Sequence, residues 1–193
     1  MLWILALAHP LQTIPAAFQE TGPLVVTGKR EEAGGRRGRE ASVVIAVMNI
    51  MTTPVWTLQG SDRLRRALDL MECRKIRHAP VLRGDRLIGI LSDRDLRVYL
   101  PPPVPLRDSK GYALLLDNVR IEEGMTAEPV SIGPYHAVTE AARVMLERRI
   151  GALPVVDEGK VIGIVTQTDI LWALVNLLDQ KTSAGEPARD PSL

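Results

Sequence analysis

One stretch of this chain occurs twice, and the repeat limits the fold more than any other feature of the sequence. Residues 76–96 read IRHAPVLRGDRLIGILSDRDL, and residues 150–170 read IGALPVVDEGKVIGIVTQTDI. Identical or similar residues of the two stretches stand 74 positions apart, and the same offset continues upstream. They are Ile76 and Ile150, Pro80 and Pro154, Gly89 and Gly163, Ser92 and Thr166, Asp95 and Asp169, and upstream Met51 and Met125, Ala67 and Ala141, and Met71 and Met145. A repeat with a fixed period predicts two similar structural units that pack against each other.

The segment before the first repeated stretch predicts a strand followed by a helix. Residues 55–58 form a β-prone run. The apolar residues that follow recur at i, i+3, i+4 and i+7 with arginines between them, as in an amphipathic helix. These residues are Leu64, Ala67, Leu68 and Met71. We expect Ser61 or Asp62 to cap this helix, and we expect the apolar residues 43–51 to approach the same half of the protein.

The repeated stretch itself predicts a hairpin and a capped helix. The apolar runs 79–82 and 87–91 are joined through Gly84-Asp85, a dipeptide that favours a tight turn. Ser92 then caps a helix, with Asp95 at the third helical position of a capping-box pattern. The first half is therefore predicted to have the order β-α-β-β-α.

The second half predicts the same order. A short strand at 129–132 precedes the helix stripe, a hairpin turns at Glu158-Gly159, and Thr166 caps a last helix that ends near Leu178. The helix stripe consists of Val138, Ala141, Ala142 and Met145. The predicted fold class is α/β (α+β), with two β-α-β-β-α repeats in a pseudo-two-fold arrangement and flexible N- and C-terminal ends.

The chain divides into five predicted segments. The repeats occupy residues 43–100 and 119–179, and a linker with a short helix, residues 101–118, joins them. A flexible leader, residues 1–42, precedes the repeats, and a disordered tail, residues 180–193, follows them. Both ends carry charged, glycine- or proline-rich stretches that cannot bury enough apolar surface to offset their ordering entropy. A translation start inside the first repeat would leave the leader out of the working protein.

The charge and composition disfavour several classes of function. The net charge is +1, so no strong field attracts nucleic acid or an anionic membrane surface, and the basic residues at 36–39 are diluted by glutamates. One cysteine and three widely spaced histidines give no disulfide framework and no spacing typical of a metal site. No apolar run approaches the roughly 20 residues that a membrane span needs. We therefore expect a cytoplasmic protein with no membrane, metal or nucleic-acid partner.

The repeated pieces resemble the CBS domain family, named after cystathionine β-synthase, and within it the tandem pair called a Bateman module. The matching pieces are 51–55 with 125–130, 76–81 with 150–155, and 87–96 with 161–170. The resemblance covers about residues 43–179, and the second half has one more residue before Pro129 than the first half has before Pro54. SDRDLR, TQTDILWALVNLL and the helix-bearing insertion are most similar to acetoin-utilisation B-type proteins. Since only about 15 residues follow the last predicted helix, we expect the ACT domain of that type to be absent.

The resemblance implies that adenosine-containing ligands bind in clefts between the repeats. In the family, a Ser/Thr-x-x-Asp motif at the start of the last helix of each repeat contacts the ligand. The motif residues here are Ser92 and Asp95, and Thr166 and Asp169. A carboxylate can accept hydrogen bonds from both hydroxyls of a ribose, whereas the Ser or Thr hydroxyl, the helix N–H groups and Arg94 favour a phosphate.

The same resemblance implies a surrounding for the adenine base. Apolar walls would come from Ile76, Pro80, Ile150 and Pro154, and backbone groups near Thr53 and His78 would read the edge of the base. The expected ligands are AMP, ADP, ATP or S-adenosylmethionine, and we expect no cofactor to be required.

The sequence leaves two interpretations of the motif open. Ser-x-x-Asp is also an ordinary helix cap that stabilises a helix by about 1 kcal/mol and binds no ligand. Its occurrence at both equivalent places favours a regulatory, ligand-sensing protein. The alternative is a structural, dimerisation and protein-interaction module with non-functional nucleotide pockets. We find no catalytic constellation and expect no enzyme, so His78 is interpreted as a residue of the pocket lip or surface rather than a catalytic base.

Two further partners are expected besides the ligand. The helix stripes of both halves need apolar partners, which predicts a homodimer of two repeat pairs. A separate effector protein would receive the signal, since ligand binding can shift the population between two arrangements of the halves.

Overall fold

The computed structural model describes residues 44–99 and 109–183, of which 109–113 and 180–183 are described as backbone only. The predicted leader, the start of the linker and the tail from residue 184 lie outside these residues. The first half consists of β1 (Leu58–Gln59), α1 (Leu64–Arg74), β2 (His78–Arg83), β3 (Arg86–Ser92) and α2 (Asp93–Arg97). The predicted order β-α-β-β-α is therefore confirmed for this half, although its first strand lies at the end of the predicted run.

The second half follows at the predicted offset. The linker contains α3 (Ser109–Asn118). The second half consists of α4 (Ile121–Gly124), β4 (Thr126–Ala127), α5 (Val138–Arg148), β5 (Ala152–Asp157), β6 (Lys160–Thr166) and α6 (Gln167–Ser183). The predicted strand at 129–132 was wrong, because only Ile132 makes a bridge there, parallel to Val155. The last helix continues beyond the predicted end at Leu178, into the segment predicted to be a disordered tail.

The start of α1 differs from the prediction. Its N-cap residue is Arg63, and no side chain caps the helix. Asp62 instead accepts a hydrogen bond from the Gln59 N–H at 3.2 Å and pairs with Arg66 at 3.0 Å. Asp62 therefore fixes the turn that leads into the helix rather than the helix end itself.

The two halves exchange the segments that precede them. A 3-10 turn, Val47–Asn49, and Thr52 lie against the second half, where Thr52 pairs with Ile164 of β6. The equivalent β4 pairs with β3 of the first half, with Thr126 opposite Ile90. Both pairs are related by the 74-residue offset, so the exchange follows the pseudo-two-fold symmetry of the repeat. The expectation that residues 43–51 approach the first half was wrong.

Each hydrophobic core is consequently built from both repeats. The core of the second half contains Val47, Ile50 and Met51 from the start of the first repeat. The core of the first half contains Ile121 from α4, with Met125 packed against it. Each core therefore needs residues from the other repeat to be complete.

Two repeated glycines permit this exchange. A Cβ on Gly163 would lie 2.7 Å from Met51 Sδ and 3.1 Å from the Thr52 carbonyl oxygen. A Cβ on Gly89 would overlap Met125 in the same way. At both places the exchanged segment crosses the strand so closely that a side chain would meet the methionine of that segment.

The helix stripes pack inside the chain. Six of the eight stripe residues are 9% exposed or less and belong to the two cores. They are Leu64, Ala67, Met71, Val138, Ala141 and Met145. The reason given above for a homodimer was therefore wrong, because the chain itself covers these faces. In the part of the chain that the structure describes, no helix is long and apolar enough to span a membrane.

Candidate functional site

A cleft of about 1270 Å³ lies between the two halves. Its lining comes from equivalent places in both repeats: the ends of β3 and β6, the starts of α2 and α6, the two loops before β2 and β5, and the exchanged segments. Single-ligand pockets usually measure about 300–1,000 Å³. The cleft is therefore large enough for more than one small ligand.

Eight of the eleven predicted site residues line this cleft. They are Ile76, His78, Ser92, Arg94, Asp95, Ile150, Thr166 and Asp169. The other three do not line it. Pro80 and Pro154 are buried inside β2 and β5, and the Thr53 hydroxyl donates a hydrogen bond to the Ile162 carbonyl at 3.1 Å. The proline repeat therefore reflects packing within the hairpins rather than the predicted wall for a base.

Both Ser/Thr-x-x-Asp motifs are formed, and their geometry is nearly the same. Asp95 Oδ2 accepts hydrogen bonds from the Ser92 N–H at 2.8 Å and the Ser92 hydroxyl at 2.7 Å. Asp169 Oδ2 accepts the equivalent bonds from Thr166, both at 2.7 Å. The predicted capping box at Ser92 is therefore confirmed.

One oxygen of each carboxylate is engaged in the cap, and the other is not. Within the described part of the chain, no other residue donates a hydrogen bond to Oδ1 of Asp95 or Asp169. Because both residues line the cleft, these oxygens can accept hydrogen bonds from a bound hydroxyl group. The cap and a ligand can therefore use the same carboxylate at once.

The two carboxylates differ in burial. Asp169 is only 5% exposed, whereas Asp95 is half-buried. Burial raises the pKa of Asp169, and the hydrogen bonds from Thr166 act in the opposite direction. The second half therefore holds its carboxylate in a drier setting than the first half.

Arg77 connects the halves across the cleft, and its role was not predicted. Its Nη2 atom lies 3.3 Å from Thr168 Oγ1, at the start of α6. The equivalent position in the second half is Gly151, which has no side chain. Thr52 and Thr126 also line the cleft and were not predicted, although the 74-residue offset relates them and could have identified them. The role of Arg77 could not be identified in this way, because the sequence shows only an arginine before a strand.

His78 lies next to Arg77 and also lines the cleft. A Cβ on Gly151 would lie 3.3 Å from its Nε2 atom, so the ring packs on the backbone of the second half. Burial lowers the pKa of His78, and nearby Asp93 and Asp95 oppose that effect. This placement agrees with the interpretation of His78 as a residue of the cleft lip.

No group of His, Cys, Asp and Glu side chains in the described ranges 44–99 and 109–183 could hold a metal ion. The cleft instead offers hydroxyl groups, two partly engaged carboxylates, cations and apolar surface. This combination suits a small organic ligand with hydroxyl groups and, near the cations, an anionic group.

The CBS domain family model matches residues 47–102 and again residues 119–176. Among solved structures, the chain is similar to a Vibrio cholerae protein classed as AcuB, an acetoin utilization protein, with 31% identity and a TM-score of 0.60. The similarity covers 75% of this chain and 99% of that one. The predicted resemblance to a tandem CBS pair of the acetoin-utilisation B type is thereby confirmed.

Two further solved structures contain ligands. The CBS domain pair of protein MJ0100, in complex with 5′-methylthioadenosine and S-adenosyl-L-methionine, is 25% identical with a TM-score of 0.58, over 69% of this chain and 98% of that one. CBSX2 of Arabidopsis thaliana, in complex with AMP, is 27% identical with a TM-score of 0.56, over 69% and 98%.

Proposed function

Because this chain belongs to the CBS domain family, we propose that it is a regulatory protein that binds an adenine nucleotide or adenosyl ligand in the cleft between its repeats. The observation that carries the proposal is the pair of caps, each of which leaves one carboxylate oxygen available at the cleft. AMP and adenosyl ligands in similar CBS pairs support this ligand class.

The proposed mechanism uses the exchanged segments. Each half of the cleft contains a strand end from one repeat and a preceding segment from the other. A ligand that contacts both would favour one arrangement of the repeats, and it would shift the population toward that arrangement. The proposal assigns no reaction to the chain and requires no cofactor.

Calorimetric titration of the full chain with AMP, ATP and S-adenosylmethionine tests the proposal. We expect at least one ligand to bind, and we expect Asp95→Ala combined with Asp169→Ala to abolish the binding heat. Asp85→Ala, in the turn between β2 and β3 and away from the cleft, is the matched control and should bind normally.

A second pair of variants separates binding from folding. Asp95→Asn and Asp169→Asn keep an acceptor for the cap but remove the charge, so both should remain folded by circular dichroism while ligand binding weakens. The proposal is rejected if the wild-type chain binds none of the three ligands, or if all variants bind like the wild type.

A second function is favoured by the completeness of the caps. Ser92 with Asp95 and Thr166 with Asp169 are satisfied as helix caps without a ligand. The chain would then be a dimerisation and protein-interaction module with non-functional pockets. Its assembly state would not respond to nucleotides, whereas a ligand sensor should respond in the same sedimentation experiment.

We also propose a homodimer, now on a different surface. Leu171, Leu174 and Val175 of α6 are 44–62% exposed and stand at i, i+3 and i+4, so they form one apolar stripe. Sedimentation velocity should detect a dimer that Leu174→Glu dissociates; a monomeric wild type contradicts this.

The proposed setting is the cytoplasm, with a separate effector protein that receives the signal, and cell fractionation checks that location.

A further inference from the structure

The two ends of the cleft are built on one plan, so their differences are informative. One end, the Thr166 end, contains Thr52, Thr166 and Asp169, because Thr52 pairs with β6 just before the motif. The Ser92 end contains Thr126, Ser92 and Asp95 by the equivalent pairing with β3. Lys75 and Arg149 are also equivalent at the 74-residue offset, and both line the cleft. These matched residues offer the same kinds of group at both ends, so the unmatched residues are where a different ligand preference is to be sought.

The Thr166 end has a cation that the Ser92 end lacks at the equivalent place. The Arg77 guanidinium reaches Thr168 Oγ1 at 3.3 Å, whereas the other end has Gly151 at the matching position. A guanidinium and a neighbouring hydroxyl form a pair of donors that suits phosphate oxygens. Their position at the start of α6, a helix of 17 residues, adds favourable N–H groups and dipole.

The Ser92 end has a carboxylate that the Thr166 end lacks. Glu128 is the extra residue before Pro129, and it has no counterpart in the first half. It lines the cleft with a φ of 49°, and its N–H donates to the Ile88 carbonyl at 3.1 Å. A non-glycine residue in this conformation costs free energy, so the hydrogen bond to β3 is needed to hold it in place.

Glu128 changes the charge balance at its end. Arg94 is the cation there, and its counterpart is the neutral Thr168. Glu128 adds a negative charge to this end, and Asp93 is paired with Arg97 at 3.1 Å. A phosphate at the Ser92 end would meet two carboxylates, Glu128 and Asp95, besides Arg94, and the like charges disfavour it. At the Thr166 end, Asp169 is the single carboxylate of the motif and the inserted glutamate is missing.

Resting on the ligand class proposed above, we propose that the two ends of the cleft select different adenosyl ligands through Arg77 and Glu128. The Thr166 end takes an adenosine that carries phosphate, and Arg77 with Thr168 binds that phosphate. The Ser92 end, with Gly151 and Glu128, takes an adenosyl ligand without phosphate. Arg77 and Glu128 are thus specificity-determining residues, while the two aspartates bind the ribose at both ends.

Calorimetry with AMP and 5′-methylthioadenosine, which carry a phosphate and a methylthio group respectively at the 5′ carbon, tests the assignment. Asp169→Ala should remove AMP binding and leave 5′-methylthioadenosine binding within about twofold, and Asp95→Ala should do the reverse. Arg77→Met should weaken AMP by about ten- to a hundredfold, the usual size of a hydrogen bond to a charged group. Arg77→Lys should recover part of that loss, and 5′-methylthioadenosine should respond to neither change.

Glu128→Gln supplies the reciprocal test. Removing this negative charge should allow AMP to occupy the Ser92 end as well, which raises the AMP stoichiometry toward two per chain. Equal weakening of both ligands by Arg77→Met, or loss of AMP binding with Asp95→Ala instead of Asp169→Ala, overturns the assignment alone. Absence of binding by either ligand to the wild-type chain rejects the proposed function and this assignment together.

Discussion

The hairpins of the two repeats match in detail, whereas some of the residues that face the cleft do not. In β2–β3 the pairs run from His78 opposite Ser92 to Arg83 opposite Arg86, and β5–β6 has the same register. Even the irregularity falls at the same step, between Val81 and Leu82 and between Val155 and Val156. At the cleft, by contrast, Arg77 of the first repeat is replaced by Gly151 at the equivalent position of the second, and Glu128 has no equivalent residue. The repeats are therefore alike where their strands pair, and they differ at these positions of the cleft.

The largest expected effect tests whether each core really depends on the other repeat's segment. Ile50 and Ile121 are 2% and 0% exposed, and they lie in the cores of the second and first half respectively. Replacing either by alanine should lower the free energy of unfolding by about 2–5 kcal/mol, as for other buried isoleucines. Chemical denaturation measures the loss.

Amide hydrogen exchange then shows which hairpin loses stability in each variant. Ile50→Ala should speed amide exchange first in the β5–β6 hairpin, although the residue belongs to the first repeat, and Ile121→Ala should do so first in β2–β3. If exchange instead increases first in the hairpin of the same repeat as the substituted residue, the segments are not exchanged between the halves.

These exchanged segments also mark what the sequence could and could not predict. The hairpins, both helix stripes and both caps follow from local patterns that occur twice, so they could be predicted from residues such as Gly84, Ser92 and Thr166. The direction in which residues 45–52 pack could not, because an apolar run fits either core. This run packs in the core of the second half because Thr52 pairs with Ile164, which is far away in sequence.

The lining of the cleft could be predicted only in part for a similar reason. The aspartates repeat at a helix start and can be recognised there, whereas the repeat of Pro80 and Pro154 suggested a ligand contact but reflects buried strand positions. Arg77 looks like a solvated arginine in the sequence, since its contact with Thr168 exists only when the two halves are placed together. Long-range geometry therefore supplies the differences between the ends of the cleft.

A smaller expected effect distinguishes Gly163 from Gly89, the two glycines at which an exchanged segment crosses a strand. Gly163→Ala should destabilise the protein by about 1–3 kcal/mol, because overpacking here forces backbone to move. The Thr52 carbonyl is held by the Ile164 N–H at 3.2 Å and cannot easily shift. Gly89→Ala should cost less, since the obstacle is the side chain of Met125, which is flexible and can adopt another rotamer. Thermal unfolding of the two variants compares them, and a larger loss for Gly89→Ala would contradict this account.

The smallest expected effect is a pH dependence in which the halves act in opposite directions. The pKa of His78 is lowered below its ordinary value of 6.5, so the unfolded chain binds more protons just below that pH and stability falls as the pH decreases. The pKa of Asp169 is raised above its ordinary value of 3.8, so the folded chain binds more protons just above that pH and stability falls as the pH increases. His78→Asn should weaken the dependence of stability on pH below pH 6.5, and Asp169→Asn should weaken it above pH 3.8. Denaturation midpoints between these values measure both slopes, and variant profiles parallel to the wild type would show that neither group titrates differently on folding.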